Sequence, residues 1–343
     1  GPQSWSVPQV MHYDTHGSDK PRVKGELPPN LSKNPKCDMR DVPDEAYFDG
    51  RIANLAVKAL GKLEQKKKPF FLAVGFWKPH LPFNAPKRYW DMYDPAKLPP
   101  LTNPKRPAHA PDIAFHDARE MLRSFKGKQP TPAQVRELRH GYYAATTYMD
   151  AQIGKVLAQL DRLGLREDTI ITFASDHGFH LGDLGIWTKH TNYEQANRIP
   201  IMVVAPGITQ PGKSTNQLVE TVDIFPTLAE LAGLPAPTGP QSIDGISLVP
   251  VLKDDTVRVR DHAFHAYPRK TLGRAIRTER YRLVEWRNPG QPPGTAQYEL
   301  YDYQQDPHET RNHAKANPAA VKQLQGILAR YPEAVRRGKR RPK

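Results

Sequence analysis

The chain has 343 residues, and 38% hydrophobic residues with 14 Tyr, 11 Phe and 5 Trp are enough for one or two globular domains. Its formal net charge of +14 favours anionic partners, but the basic residues before the run at 336–343 are scattered, and without a recognisable module we expect no nucleic-acid partner. No window approaches the ~20 apolar residues of a membrane span, and the single Cys37 excludes an intrachain disulfide.

The first elements lead to a histidine in a stiff turn. Residues 1–43 are polar and Pro-rich and predict a loop, and apolar residues at helical spacing predict a helix over 46–66. Residues 70–77 predict a buried strand. His80 follows it between two prolines, which stiffen the backbone. This histidine either serves chemistry or bonds a backbone carbonyl, and the motif alone leaves both readings open.

A long insert and a long helix come next. Residues 85–130 are dense in Pro, Lys and His, and a loop of this length is usually functional or mobile. Thr131 as N-cap and Pro132 at the first position predict the start of the longest helix. Gly164 predicts its end.

A carboxylate and an imidazole follow the next apolar run. Residues 169–174 predict a strand buried on both faces, followed by Ser175-Asp176-His177-Gly178. Ligands of open α/β sheets bind at the carboxyl ends of strands, so Asp176 and His177 are a candidate metal site. For an isolated pair, a turn cap and a core histidine would be the favoured alternative.

The remaining elements complete the predicted architecture. A strand over 199–205 and a helix over 223–231 extend the alternation of strands and helices, which favours a mostly parallel sheet with helices on both faces. After residue 252, short runs predict a small antiparallel sheet, followed by a helix over 318–330. We therefore predict domains at 1–252 and 253–343, the second ending in a basic tail.

Six segments together carry a family resemblance in the family's order. They are PFFLAVGFWKPHLPF (69–83), YYAATTYMDAQIGKVL (142–157), FASDHGFHLGDLGIWTKHTNY (173–193), VDIFPTLAELAGL (222–234), DGISLVPVL (244–252) and ELYDYQQDPHETRN (299–312). The chain resembles a sulfatase of the alkaline-phosphatase superfamily, and most closely the iduronate-2-sulfatase branch.

The resemblance implies a three-layer alkaline-phosphatase-like fold and a sulfuric ester hydrolase. It implies that Asp176 and His177 bind a divalent metal, usually Ca²⁺, with Mn²⁺ and Zn²⁺ as alternatives because imidazole is a softer ligand than calcium prefers. It implies that His80 and Lys189 bind the sulfate group and stabilise its leaving oxygen. The implied substrate is a sulfated, acidic saccharide, and the implied location is exported: periplasmic, secreted or lysosomal.

The chain departs from the family at the nucleophile. Sulfatases use a Cys or Ser in C/S-x-P-x-R, oxidised to formylglycine. Cys37 stands in Cys-Asp-Met-Arg, without the proline, and Ser6 stands in Ser-Val-Pro-Gln-Val, without the arginine. The family's early Asp pair, arginine and Lys-His pair are missing too. We therefore expect the carboxyl-terminal two-thirds of a sulfatase, with no nucleophile and no activity on its own, and Cys37 as a loop residue.

Two other functions remain open from the sequence. A phosphatase or phosphonate monoester hydrolase of the same superfamily also carries Asp-His-Gly turns. A catalytically dead glycan-binding remnant would explain the missing nucleophile but not the retained site residues. Tyr267-Pro268-Arg269 could reach a substrate carboxylate, and the sequence does not indicate an oligomeric state.

Overall fold

The computed structural model describes residues 5–10, 28–236, 238, 242–268 and 271–333. The basic tail and Arg269, both singled out in the sequence, lie outside these residues. The chain separates into two compact units, one of Gly1–Pro100 and Arg119–Glu167, the other of Leu101–Ala118 and Asp168–Lys343. The domain division at residue 252 stays a prediction.

The first unit is mainly helical. Its elements are β1 (Cys37–Arg40), α1 (Phe48–Gln65), β2 (Phe83–Pro86), α2 (Lys87–Trp90), α3 (Arg119–Leu122) and α4 (Pro132–Arg162). Strands β1 and β2 pair in parallel. Strand β1 corrects two expectations, since part of 1–43 is not loop and Cys37 lies in a strand.

Helix α4 begins where the sequence indicates. The Thr131 hydroxyl accepts a hydrogen bond from the Gln134 backbone N–H at 3.3 Å, and the Gln134 side chain accepts one from the Thr131 N–H at 2.9 Å. This capping box satisfies two of the N–H groups that a helix start leaves unpaired. Deeper in the helix, the buried Tyr148 hydroxyl donates to the Asp44 carbonyl at 2.9 Å and ties α4 to the segment that precedes α1.

The predicted strand at 70–77 is not formed as expected. Within the described residues it pairs with no other strand, and its side chains alternate between exposed and partly buried positions. A β-strand needs a neighbouring strand, because its ladder consists of hydrogen bonds between the N–H and C=O groups of two segments. The apolar pattern is present, but the described part of the chain supplies no ladder for it.

The second unit begins with an α/β part. It contains β3 (Ile171–Ala174), β4 (His180–Leu181), β5 (Trp187–Thr188), α5 (Glu194–Asn197), β6 (Ile201–Val204), α6 (Ile224–Leu231) and α7 (Val249–Lys253). Strands β3 and β6 form an antiparallel pair. Strand β3, which the sequence predicts to be buried on both faces, is only partly buried. On its partner β6, Met202 and Val204 are 55% and 45% exposed. The reason is that, among the described residues, β3 pairs only with β6.

The same unit ends in the small antiparallel sheet that the sequence predicts. Strands β7 (His262–Pro268), β8 (Leu272–Thr278), β9 (Tyr281–Arg287) and β10 (Gln297–Asp302) lie in the order β10-β9-β8-β7. Helix α8 (Pro318–Leu328) covers one face, and its Leu324 packs with Ile276 and Leu283 of the sheet. The other face packs around Trp286 and Tyr301. In the described part of the chain, no helix combines the length and apolarity needed to cross a membrane.

Candidate active site

The turn that carries His80 lies in the first unit. The His80 Nδ1–H donates to the Leu81 carbonyl at 2.7 Å, and its Nε2 lies 3.0 Å from the Glu120 carboxylate. Each ring nitrogen therefore faces an oxygen that can accept a hydrogen bond. The ring is partly exposed. This arrangement can bind an anion or supply a proton.

A buried aspartate supports this turn from below. Asp49 is fully buried in α1, and its carboxylate accepts the backbone N–H groups of Trp77 at 2.8 Å and Lys78 at 2.9 Å. The Lys78 ammonium in turn donates to the Pro82 carbonyl at 2.8 Å. Charge-assisted bonds of this kind hold a backbone more firmly than neutral ones. The His80 turn is therefore fixed at both of its ends.

The Asp176–His177 turn follows β3 in the second unit. The Asp176 side chain is 86% exposed, and one of its oxygens lies 3.7 Å from His177 Nε2. The His177 Nδ1–H donates to the Gly178 carbonyl at 2.8 Å, so in the neutral ring Nε2 carries the lone pair. Gly178 is required here, because a side chain would overlap with the Gln195 carbonyl.

These two side chains fit part of a metal shell. A carboxylate oxygen and an imidazole nitrogen on one ion each lie about 2.0–2.6 Å from it, which a separation near that of Asp176 and His177 permits. Among the described residues, however, no group of three or more His, Cys, Asp or Glu side chains could hold an ion. Two donors alone do not decide between Ca²⁺, Mn²⁺ and Zn²⁺.

Lys189 lies in the loop that follows β5. It is partly exposed, and its carbonyl accepts the Thr191 N–H at 2.7 Å. The preceding Thr188 is fully buried and has a φ of 76°. A β-branched residue rarely adopts this left-handed conformation, and such residues persist only where the surroundings fix them.

His180 anchors this loop from β4. Its imidazole is fully buried between the Gln195 side chain at 2.9 Å and the Thr191 hydroxyl at 2.8 Å. Burial lowers the pKa of His180 to about 4, although the hydrogen bond to Gln195 opposes the shift. The ring is therefore neutral at physiological pH and serves as a hydrogen-bonded strut beside Lys189.

Cys37 has the properties of a core residue. It is 3% exposed, and its Sγ lies 3.9 Å from the Glu137 carbonyl. Burial raises the pKa of the Cys37 thiol well above its ordinary value, and the charges of Glu137 and Asp38 raise it further. The thiolate, which is the nucleophilic form, is disfavoured here.

The predicted site residues are thus distributed over both units. His80 belongs to the first unit, and Asp176, His177 and Lys189 belong to the second. Within the second unit, the Gly178 N–H donates to the Ala196 carbonyl at 2.9 Å and joins the Asp176–His177 turn to α5. Sequence reasoning missed Asp49, Glu120 and His180. Their partners are distant in the chain or not marked by any local motif, so no signal in the sequence could have found them.

Two family models match this chain. Residues 5–234 match the family described as Sulfatase, which is more than half of the chain. Residues 182–336 match the family described as N-sulphoglucosamine sulphohydrolase, C-terminal. The two matches together extend over both units.

Individual proteins show the same similarity. Iduronate 2-sulfatase from Mus musculus is 35% identical over 271 residues, which are 69% of this chain and 49% of that protein. The chain therefore spans about half the length of the curated relatives it matches.

Solved structures establish the fold class. A phosphonate monoester hydrolase from Silicibacter pomeroyi matches with a TM-score of 0.70 and 26% identity, over 84% of this chain and 60% of that one. A protein solved in complex with its substrate D-glucosamine-2-N,6-O-disulfate matches with a TM-score of 0.70 and 22% identity, over 83% and 69%. The prediction of an alkaline-phosphatase-like α/β fold with a smaller antiparallel sheet is confirmed.

Proposed function

Because the chain belongs to the sulfatase family, we propose that it forms the sulfate-binding and metal-binding part of a sulfuric ester hydrolase. The substrate is a sulfated, acidic saccharide, as in an iduronate-2-sulfatase-like enzyme. The formylglycine nucleophile lies outside residues 1–343, since the sequence contains no C/S-x-P-x-R motif. The resemblance also favours an exported enzyme.

One observation carries this proposal furthest. Asp176 extends into solvent directly after β3, with its carboxylate 86% exposed and His177 Nε2 3.7 Å away. A turn cap would direct that carboxylate towards backbone N–H groups, and a core histidine would be buried. The pair instead presents one oxygen donor and one nitrogen donor outward, as two ligands of a larger shell would.

The other site residues have roles that follow from charge. A sulfate ester is an anion, and breaking its S–O bond places negative charge on the leaving oxygen. Lys189 neutralises charge on the sulfate group, an interaction that gains strength as charge develops. His80, with acceptors at both nitrogens in the resting state, donates a proton to the leaving oxygen.

A bound divalent ion would supply electrostatic stabilisation of the sulfate oxygens. In this chain Asp176 and His177 would hold it. The exposed Asp176 carboxylate needs no rearrangement to take an ion, and the hydrogen bond from His177 Nδ1–H to Gly178 fixes the imidazole orientation.

The substrate class rests on similarity and charge. The name of the mouse relative refers to iduronate, and a structural neighbour is described with a disulfated glucosamine. The net charge of +14 suits a polyanionic saccharide. Both features favour a sulfated sugar over a simple aryl sulfate as the natural substrate.

A comparison of substrates tests the proposal. The coding sequence upstream of Gly1 is read for C/S-x-P-x-R, and the complete protein is assayed with an aryl sulfate, an aryl phosphate and a sulfated uronate disaccharide. We expect the motif to be present and both sulfate esters to be turned over faster than the phosphate. A complete protein with the motif but no sulfate turnover would contradict the proposal.

A phosphonate monoester hydrolase is the second candidate. It is favoured by the match to the Silicibacter pomeroyi enzyme at a TM-score of 0.70 and 26% identity. Lys189, His80 and the metal turn would serve a phosphonate anion in the same way. A higher kcat/KM for an aryl phosphonate than for the aryl sulfate would establish this alternative.

A further inference from the structure

Lys189 lies in a short loop that is held at both of its ends. On one side stands the strained, fully buried Thr188. On the other side stands Glu194, the first residue of α5, whose backbone N–H donates to the Glu309 carboxylate at 3.0 Å. Because both ends of the segment 188–194 are held, the backbone of Lys189 is restricted to few conformations.

The second end is clamped by a buried arginine of the C-terminal sheet. Arg282 on β9 is 1% exposed. Its Nη1 donates to the Asn192 carbonyl at 2.9 Å, and its Nη2 forms a short ion pair with Glu194. Arg277 of β8 adds a second contact, with Nε 3.2 Å from the same carboxylate. One guanidinium thus bonds both backbone and side chain of the Lys189 loop.

The remaining contacts hold the guanidinium itself. Arg282 Nε donates to the Tyr303 hydroxyl at 2.8 Å and lies 3.1 Å from the Glu309 carboxylate, while Nη1 is 2.6 Å from His265 Nε2. Two arginines, Arg277 and Arg282, face two glutamates, so the cluster is balanced in charge. Buried charges are tolerated when they are paired and hydrogen-bonded in this manner.

A second strained residue belongs to the same cluster. Glu309 is 3% exposed and has a φ of 54°, in the left-handed region. Its carboxylate accepts hydrogen bonds from the Tyr303 hydroxyl at 2.7 Å and from Glu194 N–H. Backbone strain in non-glycine residues tends to occur where surrounding contacts over-determine the structure, often near functional sites.

We propose that Arg282 is a positioning residue for Lys189, through which the C-terminal sheet sets the conformation of the loop 188–194. The guanidinium does not reach the substrate. It acts through Asn192 and Glu194, and a change in the sheet is transmitted to the lysine. The importance of Lys189 itself rests on the proposed function, whereas the order of its loop does not.

Amide hydrogen exchange of the 343-residue chain tests the positioning directly. Arg282→Lys keeps the charge but loses the forked geometry, and Glu194→Gln keeps the shape of the loop residue but loses its charge. We expect exchange in 188–194 to rise about tenfold or more, as for the loss of a charge-assisted hydrogen bond. Exchange in β10 and α8 should stay within about twofold. Arg258→Lys is the matched control, because its ion pair with Glu279 is largely exposed.

The exchange rates of the two variants test the positioning role independently of catalytic activity. Unchanged exchange in 188–194 for both variants would overturn the inference. An equal rise throughout the sheet would also overturn it, because that would show a purely structural role. If Arg282→Lys does not fold, Glu194→Gln alone decides between these outcomes.

Activity of the complete protein separates this inference from the proposed function. We expect Arg282→Lys to lower kcat about tenfold or more, with KM changed less than about threefold, since a misplaced lysine loses mainly transition-state contacts. Lys189→Ala with wild-type activity would refute the proposed function and leave the exchange result standing. If Arg282→Lys loses activity while amide exchange in 188–194 stays at the wild-type rate, the positioning role alone would be refuted.

Discussion

Two regions of the second unit differ in the solvent exposure of their charged side chains. At the end of β3, the Asp176 carboxylate is 86% exposed, and the neighbouring strand presents Met202 at 55% exposure. In the C-terminal sheet, Arg274, Arg282 and Glu285 are at most 5% exposed and are bonded to other side chains.

The difference separates buried charges that are paired within the second unit from a carboxylate that is exposed. In the sheet, the buried charges named above have hydrogen-bonded partners, which offset the cost of removing these charges from water. At the Asp176 turn, by contrast, the carboxylate and the apolar side chain of Met202 on the neighbouring strand are exposed. Substitution of Asp176 should therefore affect function, whereas substitution of a buried charge in the sheet should affect stability and, at Arg282, the Lys189 loop as well.

The largest expected effect is on catalysis at the lysine. In the complete protein that our proposal implies, Lys189→Ala should lower kcat/KM for an aryl sulfate by about 10²–10³, as for the loss of an oxyanion donor. The midpoint of urea unfolding should change little. Lys253→Ala serves as a control. Near wild-type kinetics would show that the sulfate pocket lies elsewhere.

The next expected effect is on ion binding at the Asp176–His177 turn. Asp176→Asn should remove divalent-ion binding and activity together in the complete protein, because an amide oxygen is a weaker ligand than a carboxylate. In the 343-residue chain we expect weak binding even without the substitution. Calorimetric titration with Ca²⁺ and Mn²⁺ measures both, with Asp168→Asn as control. Tight binding of one ion by the chain alone would show that the site is complete within it.

In the sheet, the expected effect is on stability. Arg282→Met should lower the free energy of unfolding by about 3–5 kcal/mol, since it removes the cation paired with the buried Glu309 and one of the two arginines paired with Glu194. Arg258→Met, at a pair whose side chains are 62% and 78% exposed, should cost about 0–1 kcal/mol. Urea unfolding measures the two, and equal costs would erase the contrast between buried and exposed charges.

A pH dependence gives the next effect in size. Burial lowers the pKa of His180 from 6.5 to about 4, so between these values the unfolded chain binds more protons than the folded chain. Stability is therefore complete above pH 6.5 and falls by about 3 kcal/mol as the pH is lowered towards 4. His180→Gln should flatten this part of the curve. Thermal unfolding across pH 4–7 checks it, and parallel curves for both proteins would contradict the burial argument.

The Glu194 carboxylate, which two arginines of the sheet hold, should titrate at a lower pH than His180. Burial alone would raise the pKa of Glu194, but Arg282 and Arg277 outweigh it and lower the pKa from 4.5 to about 2. The stability from this group is present above pH 4.5 and is lost as the pH falls towards 2. Glu194→Gln should therefore be less acid-sensitive than the wild type below pH 4.5. An identical acid limb in urea unfolding would count against the clamp.

Local signals explain which features the sequence predicted. The start of α4 depends on Thr131 and Gln134, three residues apart, and the antiparallel sheet depends on short runs and turns adjacent in the chain. Both are readable because their partners are close in sequence. The position of the Asp176 turn was also predictable, because the turn directly follows the apolar run 169–174.

Long-range partners explain what the sequence could not predict. Glu120 reaches His80 from 40 positions away, and Arg282 reaches Glu194 from 88 positions away. The residues between the partners show no pattern from which either pair could be predicted. The segment 70–77 shows the converse, since its strand pattern is clear but no strand pairs with it within the described residues. Strand formation depends on a partner that periodicity does not reveal.

Turnover of an aryl sulfate by the purified 343-residue chain, beside its Cys37→Ala variant, tests the central claim most directly. The claim is that these residues bind sulfate and metal while the nucleophile lies outside them. We predict no turnover above the buffer rate for either protein, because the buried Cys37 thiol is disfavoured as a nucleophile. Turnover by the chain that Cys37→Ala abolishes would contradict the account.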